Sequence, residues 1–243
     1  MKAFLALLAL PLALAACSKG DTGGNAAPAG PVAAAAAPAG QDWTQTVSTT
    51  PEHGYVMGNP NAPIKLVEYG SRLCPTCGAF ANTGMKPLEN SYVKSGKVSY
   101  EFRDFMVHGA PDFAPALLGR CAGTAPFFPL LEQMFAAQPT ILPKLENAQS
   151  FNASLQGKPP TQVSTAWAEY LGFIDFVKQR GIPEAQARAC LGDMKQNELL
   201  ATMTDEAGRE KNVTGTPSFF LNGRKLDAVS WPDVEAQLKQ AGA

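Results

Sequence analysis

The chain has 243 residues, 20 basic and 21 acidic side chains and a formal net charge of −1; with no basic run anywhere, that balance argues against a nucleic-acid partner. Hydrophobic residues make up 45% and charged residues 17% of it. That is enough for one sizeable core, or a core with an inserted subdomain, over the roughly 190 residues that follow the N-terminal region.

Residues 1–16 read as an export signal: Lys2 is the only charge, and Ala3 to Ala16 form a near-continuous apolar run. The run falls short of the about 20 residues needed to span a bilayer. It ends in Leu14-Ala15-Ala16-Cys17, which resembles the lipobox of bacterial lipoproteins. That resemblance implies cleavage before Cys17, acylation of its thiol, and attachment to a membrane through a lipid anchor only. An ordinary secretory peptide with a chance cysteine is the alternative. Ser18 follows, so the acidic residue associated with inner-membrane retention in some bacteria is missing. Residues 17–50 are rich in Ala, Pro and Gly, with Trp43 and Val47 as the sizeable side chains near the end. Such a segment buries too little surface to offset its ordering entropy and predicts a flexible tether.

Ile64 to Tyr69 alternate and are rich in β-formers, which predicts a strand. Cys74-Pro75-Thr76-Cys77 then stands at a strand–helix junction, with Pro75 where a helix tolerates proline best. Cys74 at the helix N-terminus would face unpaired amide donors and the positive end of the helix dipole, which favour a thiolate. Cys77 lies one turn further on. A zinc site needs four ligands, and His53 and His108 are isolated in sequence, so no set is completed. An inert structural bridge is the other alternative, although a loop that short gains little from chain entropy.

Phe80, Gly84, Leu88 and Tyr92 recur every fourth residue, one helix face turned inward, with Pro87 as a kink and Ser95-Gly96 as the stop. Lys97 to Phe105 alternate as a second strand, which makes a βαβ unit. From Asp112 to about Lys211, apolar clusters at helical spacing are punctuated by prolines, predicting four or five helices with an exposed loop over Asn147 to Thr161. Strand character returns at Thr216 to Leu221; Asn222-Gly223 then signals a hairpin into Arg224 to Leu226. Trp231 to Leu238 supply a last amphipathic helix, with Ser230 as its cap.

The matching stretches are Val67-Glu68-Tyr69 leading to Cys74-Pro75-Thr76-Cys77, then Phe80, Pro87-Leu88, Tyr92, Gly96-Lys97-Val98 and Phe102 to Phe105; a second block runs from Val213 to Phe219, with Asn222-Gly223. Together they resemble the DsbA-like thiol–disulfide oxidoreductases of bacterial envelopes, an α/β thioredoxin fold with an inserted α-helical subdomain. The resemblance implies a first thioredoxin part over residues 51–110, a helical insertion over 111–205 and a second thioredoxin part over 206–243. It implies a cis Thr216–Pro217 peptide beside the cysteines, with the Thr216 backbone free to pair with substrate. Glu68 matches the buried acid beneath the active disulfide, able to relay protons to or from Cys77; a solvent-facing strand carboxylate is the other reading. Thr76 departs from the histidine of the best-known oxidases and predicts a less oxidising protein than the strongest members. Cys121 and Cys190 are expected to form a structural disulfide in an oxidising compartment, the alternative being two buried thiols.

The expected activity is dithiol–disulfide exchange on exported, cysteine-containing proteins in the periplasm or cell envelope, most simply as an oxidase. Cys74 is expected to be the exposed, acidic thiol and Cys77 the buried one. No metal or organic cofactor is expected beyond the Cys74–Cys77 pair. A membrane redox partner would recycle it, and monomer is the default state. The rivals are a reductase or isomerase of the same fold and a Cu(I)-binding dithiol protein.

Overall fold

The computed structural model of the protein describes residues 30–243. The predicted export signal, Cys17 and the first part of the tether lie outside the described residues. Six strands form one sheet in the order β1-β2-β4-β3-β5-β6. At its centre β3 (Ile64–Gly70) runs parallel to β4 (Val98–Asp104), and every other pairing is antiparallel. Both central strands are covered on two faces, which is why Ser99 and Glu101 on β4 are buried along with the apolar residues that alternate with them.

The crossover from β3 to β4 is α1 (Pro75–Pro87), which continues through Leu88–Val93 in π geometry. Pro87 has no N–H to give to the preceding turn, and just beyond it the bonding widens; the Lys94 N–H reaches the Glu89 carbonyl at 2.9 Å. The helix thus survives its proline and keeps Phe80, Gly84, Leu88 and Tyr92 on the inward face. After the insertion come β5 (Ser218–Leu221), β6 (Arg224–Lys225) and the last helix, α10 (Trp231–Gln240). Asn222 and Gly223 both take positive φ, 49° and 81°, the backbone a two-residue hairpin of this hand requires. Ser230 does not cap α10 through its side chain; its hydroxyl donates to the Asp233 carboxylate instead.

The insertion contains eight helices rather than four or five: α2 (Ala110–Cys121), α3 (Phe127–Ala136), α4 (Gln138–Glu146), α5 (Gln149–Ser154), α6 (Pro160–Leu171), α7 (Phe173–Lys178), α8 (Glu184–Leu191) and α9 (Met194–Lys211). Its prolines open helices rather than close them: α2, α4 and α6 each carry one in the first turn, and Pro126, Pro159 and Pro183 stand just before α3, α6 and α8, so the segment divides into short pieces. The loop expected over 147–161 holds α5, whose Phe151 stacks on Tyr170 at 4.1 Å. The boundary expected at 205 falls inside α9. The insertion is also not a separate body, because Phe127, Phe128, Leu131 and Phe135 of α3 pack in the same core as Phe80, Tyr100, Phe102 and Phe219. Cys121 and Cys190 are joined in a disulfide that ties α2 to α8.

The expected tether is ordered against the domain from residue 30 onward. Val32 donates to the Gly242 carbonyl (2.8 Å) and Ala35 to that of Ser95 (3.0 Å). Trp43, 8% exposed, inserts into the main core and donates its ring N–H to Ala35 at 2.7 Å. One large aromatic supplies the apolar area that the Ala/Pro-rich composition lacks. Two strands missed in the sequence follow: β1 (Val47–Thr49) pairs with β2 (Tyr55–Gly58), which joins the sheet beside β4. Among the described residues no helix is long and apolar enough to cross a membrane.

Candidate active site

The end of β3 and the start of α1 place the two thiols. Cys74 caps α1 in extended geometry, with Pro75 in the first turn, and its sulfur accepts the Cys77 N–H at 3.4 Å. Thr216 stands opposite, because β5 pairs with β3 with Ser218 facing Tyr69. The Thr216–Pro217 peptide is cis, and the Thr216 carbonyl accepts the Cys74 thiol at 3.2 Å. Cys77 is fully buried. Cys74, expected to be open to solvent, is only 6% exposed, whereas Pro75 and Thr76 face outward. The two sulfurs are unbonded, so this is the dithiol form.

The same contacts push the two thiols in opposite directions. Cys74 is held down at about 5 against an ordinary 9.0, first by the Cys77 thiol donating to its sulfur. Burial opposes this, while the Thr216 side chain and the amides of Cys77 and Thr76 add to it. The Thr216 hydroxyl has no partner of its own in the dithiol form, which leaves it free to serve a thiolate. Reading the sequence put the amide array first; the neighbouring thiol contributes more. Burial pushes Cys77 well above the usual thiol value, and its bond to Cys74 and the charges of Glu68 and Cys74 push it further. A pair of titratable groups separated this way is the pattern a nucleophile and a proton holder require.

Glu68 lies beneath them on β3. It is 1% exposed, which overturns the solvent-facing alternative. Tyr100 donates its hydroxyl to Oε2 at 2.6 Å, and Oε1 has no partner. Burial raises this carboxyl to about 8, with the Tyr100 bond opposing and the Cys74 charge adding. A carboxyl held near 8 is protonated at neutral pH, so it can give up that proton and its carboxylate can take one back.

Several neighbours of the site were not visible in the sequence. Gln138, at the start of α4, donates to the carbonyls of Arg72 (3.0 Å) and Cys74 (2.8 Å), so the insertion grips the loop that presents the thiols. Gly78 makes room for it: a Cβ there would lie 2.0 Å from the Gln138 oxygen. That glycine directly after the second cysteine was the one available hint. Arg72 is buried between the Phe102 and Phe127 rings, 5.4 and 5.3 Å from their centroids, and pairs with Asp104. His108, isolated in sequence, is paired with Asp112. A groove of about 510 Å³ between α1, α3 and residues 44–47 is lined by none of the site residues. Among the described residues no three His, Cys, Asp or Glu side chains converge to hold a metal ion.

Known proteins carry the same framework. A family model described as Thioredoxin matches residues 50–240. The crystal structure of a protein-disulfide isomerase from Novosphingobium aromaticivorans is similar at 30% identity and a TM-score of 0.72, covering 76% of this chain and 94% of that one. A Rickettsia bellii protein named as a protein-disulfide oxidoreductase is 27% identical over 78% of this chain and 65% of its own length. Disulfide bond formation protein D of Bacillus subtilis is 28% identical, covering 70% of this chain and 68% of its own. The chain spans between 60 and 65% of the length of the Rickettsia relatives it matches.

Proposed function

The chain belongs to the thioredoxin family, and on that footing we propose that it is a thiol–disulfide oxidoreductase acting on exported proteins of the bacterial envelope, as an oxidase. The observation that carries this reading is the opposite displacement of the two thiols, Cys74 to about 5 and Cys77 well above 9.0. A thiolate stabilised only in the reduced form makes the disulfide a better oxidant. At pH 7 a value of 5 instead of 9 favours the reduced form by about 2.7 kcal/mol. Cys74 has little accessible surface but its neighbours Pro75 and Thr76 face solvent, and screening there trims this to about 2 kcal/mol, or roughly 40 mV.

In the forward reaction a substrate thiolate attacks Cys74 Sγ of the Cys74–Cys77 bridge. The S–S bond breaks toward Cys77, which takes a proton from Glu68 and becomes the buried thiol. A second substrate thiolate attacks the substrate sulfur of the mixed disulfide and expels Cys74 as a thiolate, an easy departure at its low pKa. The substrate leaves with one new disulfide, and the Cys74–Cys77 pair leaves reduced by two electrons. Thr216 and Pro217 border the attacked sulfur, where an extended substrate segment would pair with the Thr216 backbone. Pro75 and Thr76 form the outward face of the turn. No step calls for a metal or organic cofactor. Reoxidation falls to a membrane redox partner, and Cys17 provides the lipid anchor that keeps this monomeric enzyme at the membrane.

A reductase or isomerase role is the second reading, favoured by the 30% identity to a protein titled protein-disulfide isomerase and by the uncharged Thr76. A Cys77→Ser variant tests the shared mechanism: mixed disulfides with exported proteins should accumulate through Cys74, and their absence overturns the proposal. The redox state of the native pair in cells then separates the directions, mostly oxidised for an oxidase and mostly reduced for its rival.

A further inference from the structure

We propose that His108, held by Asp112 against the loop that presents Cys74, is a positioning residue for charge: a cation outside the Cys-x-x-Cys turn that supports the Cys74 thiolate and takes up a proton when the disulfide is reduced. The inference rests on the redox reading above and deepens it. Thr76, between the cysteines, brings no charge. The structure sets a histidine beside the site by another route. His108 precedes α2 and Asp112 lies in its first turn. The Asp112 side chain is 1% exposed and is shared three ways. Its Oδ1 accepts the Ser71 hydroxyl at 2.7 Å, its Oδ2 accepts the His108 backbone N–H at 2.6 Å, and the His108 ring Nδ1 lies 3.1 Å from Oδ1. Ser71 in turn holds the thiol loop. Its hydroxyl accepts the Leu73 N–H at 3.0 Å, and its carbonyl accepts the Cys74 N–H at 3.1 Å.

A continuous chain of hydrogen bonds therefore runs from the Leu73 amide through the Ser71 hydroxyl and Asp112 to the imidazole, and the Ser71 carbonyl separately holds the Cys74 amide. The ring is not a stray surface group: it is one-third exposed and fixed at both its backbone and Nδ1. The charged groups acting on it are Asp112 on α2 and Cys74 at the head of α1, both negative when ionised. The Asp112 bond is the chief reason its protonated form is favoured; burial opposes, and the Asp112 and Cys74 charges add. Because coupling between two sites is reciprocal, a ring that binds its proton more tightly beside a thiolate stabilises that thiolate by the same amount. The chief groups holding Cys74 down remain the Cys77 thiol, the Thr216 side chain and the amides of Cys77 and Thr76, so the effect of His108 is a smaller addition to theirs.

Reduction of the bridge consumes two electrons, supplied by substrate thiols, and one proton, giving the Cys74 thiolate and the Cys77 thiol. With His108 more basic in the reduced than in the oxidised form, reduction takes up a further fraction of a proton between its two titration points. Over that window the midpoint potential falls with pH more steeply than one proton per two electrons.

The test compares the wild-type protein with His108→Gln, His108→Ala and His108→Lys. Thiolate absorbance is read across pH 4–10 and midpoint potential across pH 5–8. The neutral variants should lower the acid dissociation constant of Cys74 about three- to tenfold, and above the Cys74 midpoint their potential should fall less steeply with pH than that of the wild type. His108→Lys, which keeps the charge, should retain the acidic Cys74. A fold-maintaining role alone would not sort the variants by charge. If wild-type Cys74 is acidic and all three variants match it in titration and slope, the His108 assignment is overturned and the redox function stands. If wild-type Cys74 titrates as an ordinary thiol, the function itself is overturned.

Discussion

Replacing Glu68 by Gln isolates the buried acid, because the two side chains share shape and only one titrates. In the folded protein the carboxyl is raised from 4.5 to about 8, mainly by burial. Between those values the fold keeps a proton that the unfolded chain has released, so stability falls as pH rises from 4.5 toward 8. The full gap corresponds to about 5 kcal/mol at ~1.4 kcal/mol per unit, and about 3 kcal/mol of it is lost by pH 7. The glutamine amide can still accept the Tyr100 hydroxyl, but its NH2 is left without a partner at a pH-independent cost of about 1–3 kcal/mol. Urea unfolding of the oxidised protein at pH 5, 6, 7 and 8 is the assay, since bridged cysteines do not titrate. Losing the Cys74 charge removes only a minor contribution to the shift. Wild type should start more stable at pH 5 and lose about 3 kcal/mol relative to Glu68→Gln by pH 8. A difference that stays constant across the series refutes the raised carboxyl.

Gly78→Ala should break the Gln138 clamp, since the new methyl meets the Gln138 oxygen at 2.0 Å; a loss of about 1–3 kcal/mol in urea unfolding is expected, and Gly78→Ala combined with Gln138→Ala should recover part of it. Removing the Cys121–Cys190 bridge, whose ends are 69 residues apart, by the double alanine variant should cost about 4 kcal/mol. It should leave the Cys74 titration in place, whereas a shifted titration would show the bridge is tied to the redox site. Trp43→Ala should cost about 3 kcal/mol in denaturant unfolding, and a chain begun after residue 50 at least as much; an unchanged midpoint would show that the segment adds nothing to the fold.

The redox turn and its framework were legible because each carries a local physical signature. An alternating strand runs into a proline-opened helix, and Asn-Gly demands two positive φ values. The docked N-terminal segment was not legible, because Trp43 acts alone in a stretch whose composition reads as tether. The helix count is low because the prolines that punctuate the apolar clusters open further short helices. Gln138 lies 64 residues from Cys74 in sequence, and no local pattern reports a contact of that range. His108 and Asp112 were within reach: their four-residue spacing is the one a helix start brings together. The depth of Glu68 came from resemblance, as strand alternation alone left both faces open.

The most direct test of the account is the ultraviolet thiolate titration of the reduced protein, assigned with Cys74→Ser and Cys77→Ser variants. One sulfur, lost with Cys74, should ionise with a midpoint near 5, while Cys77 stays protonated beyond 9. Two thiols titrating together near 9 would contradict it.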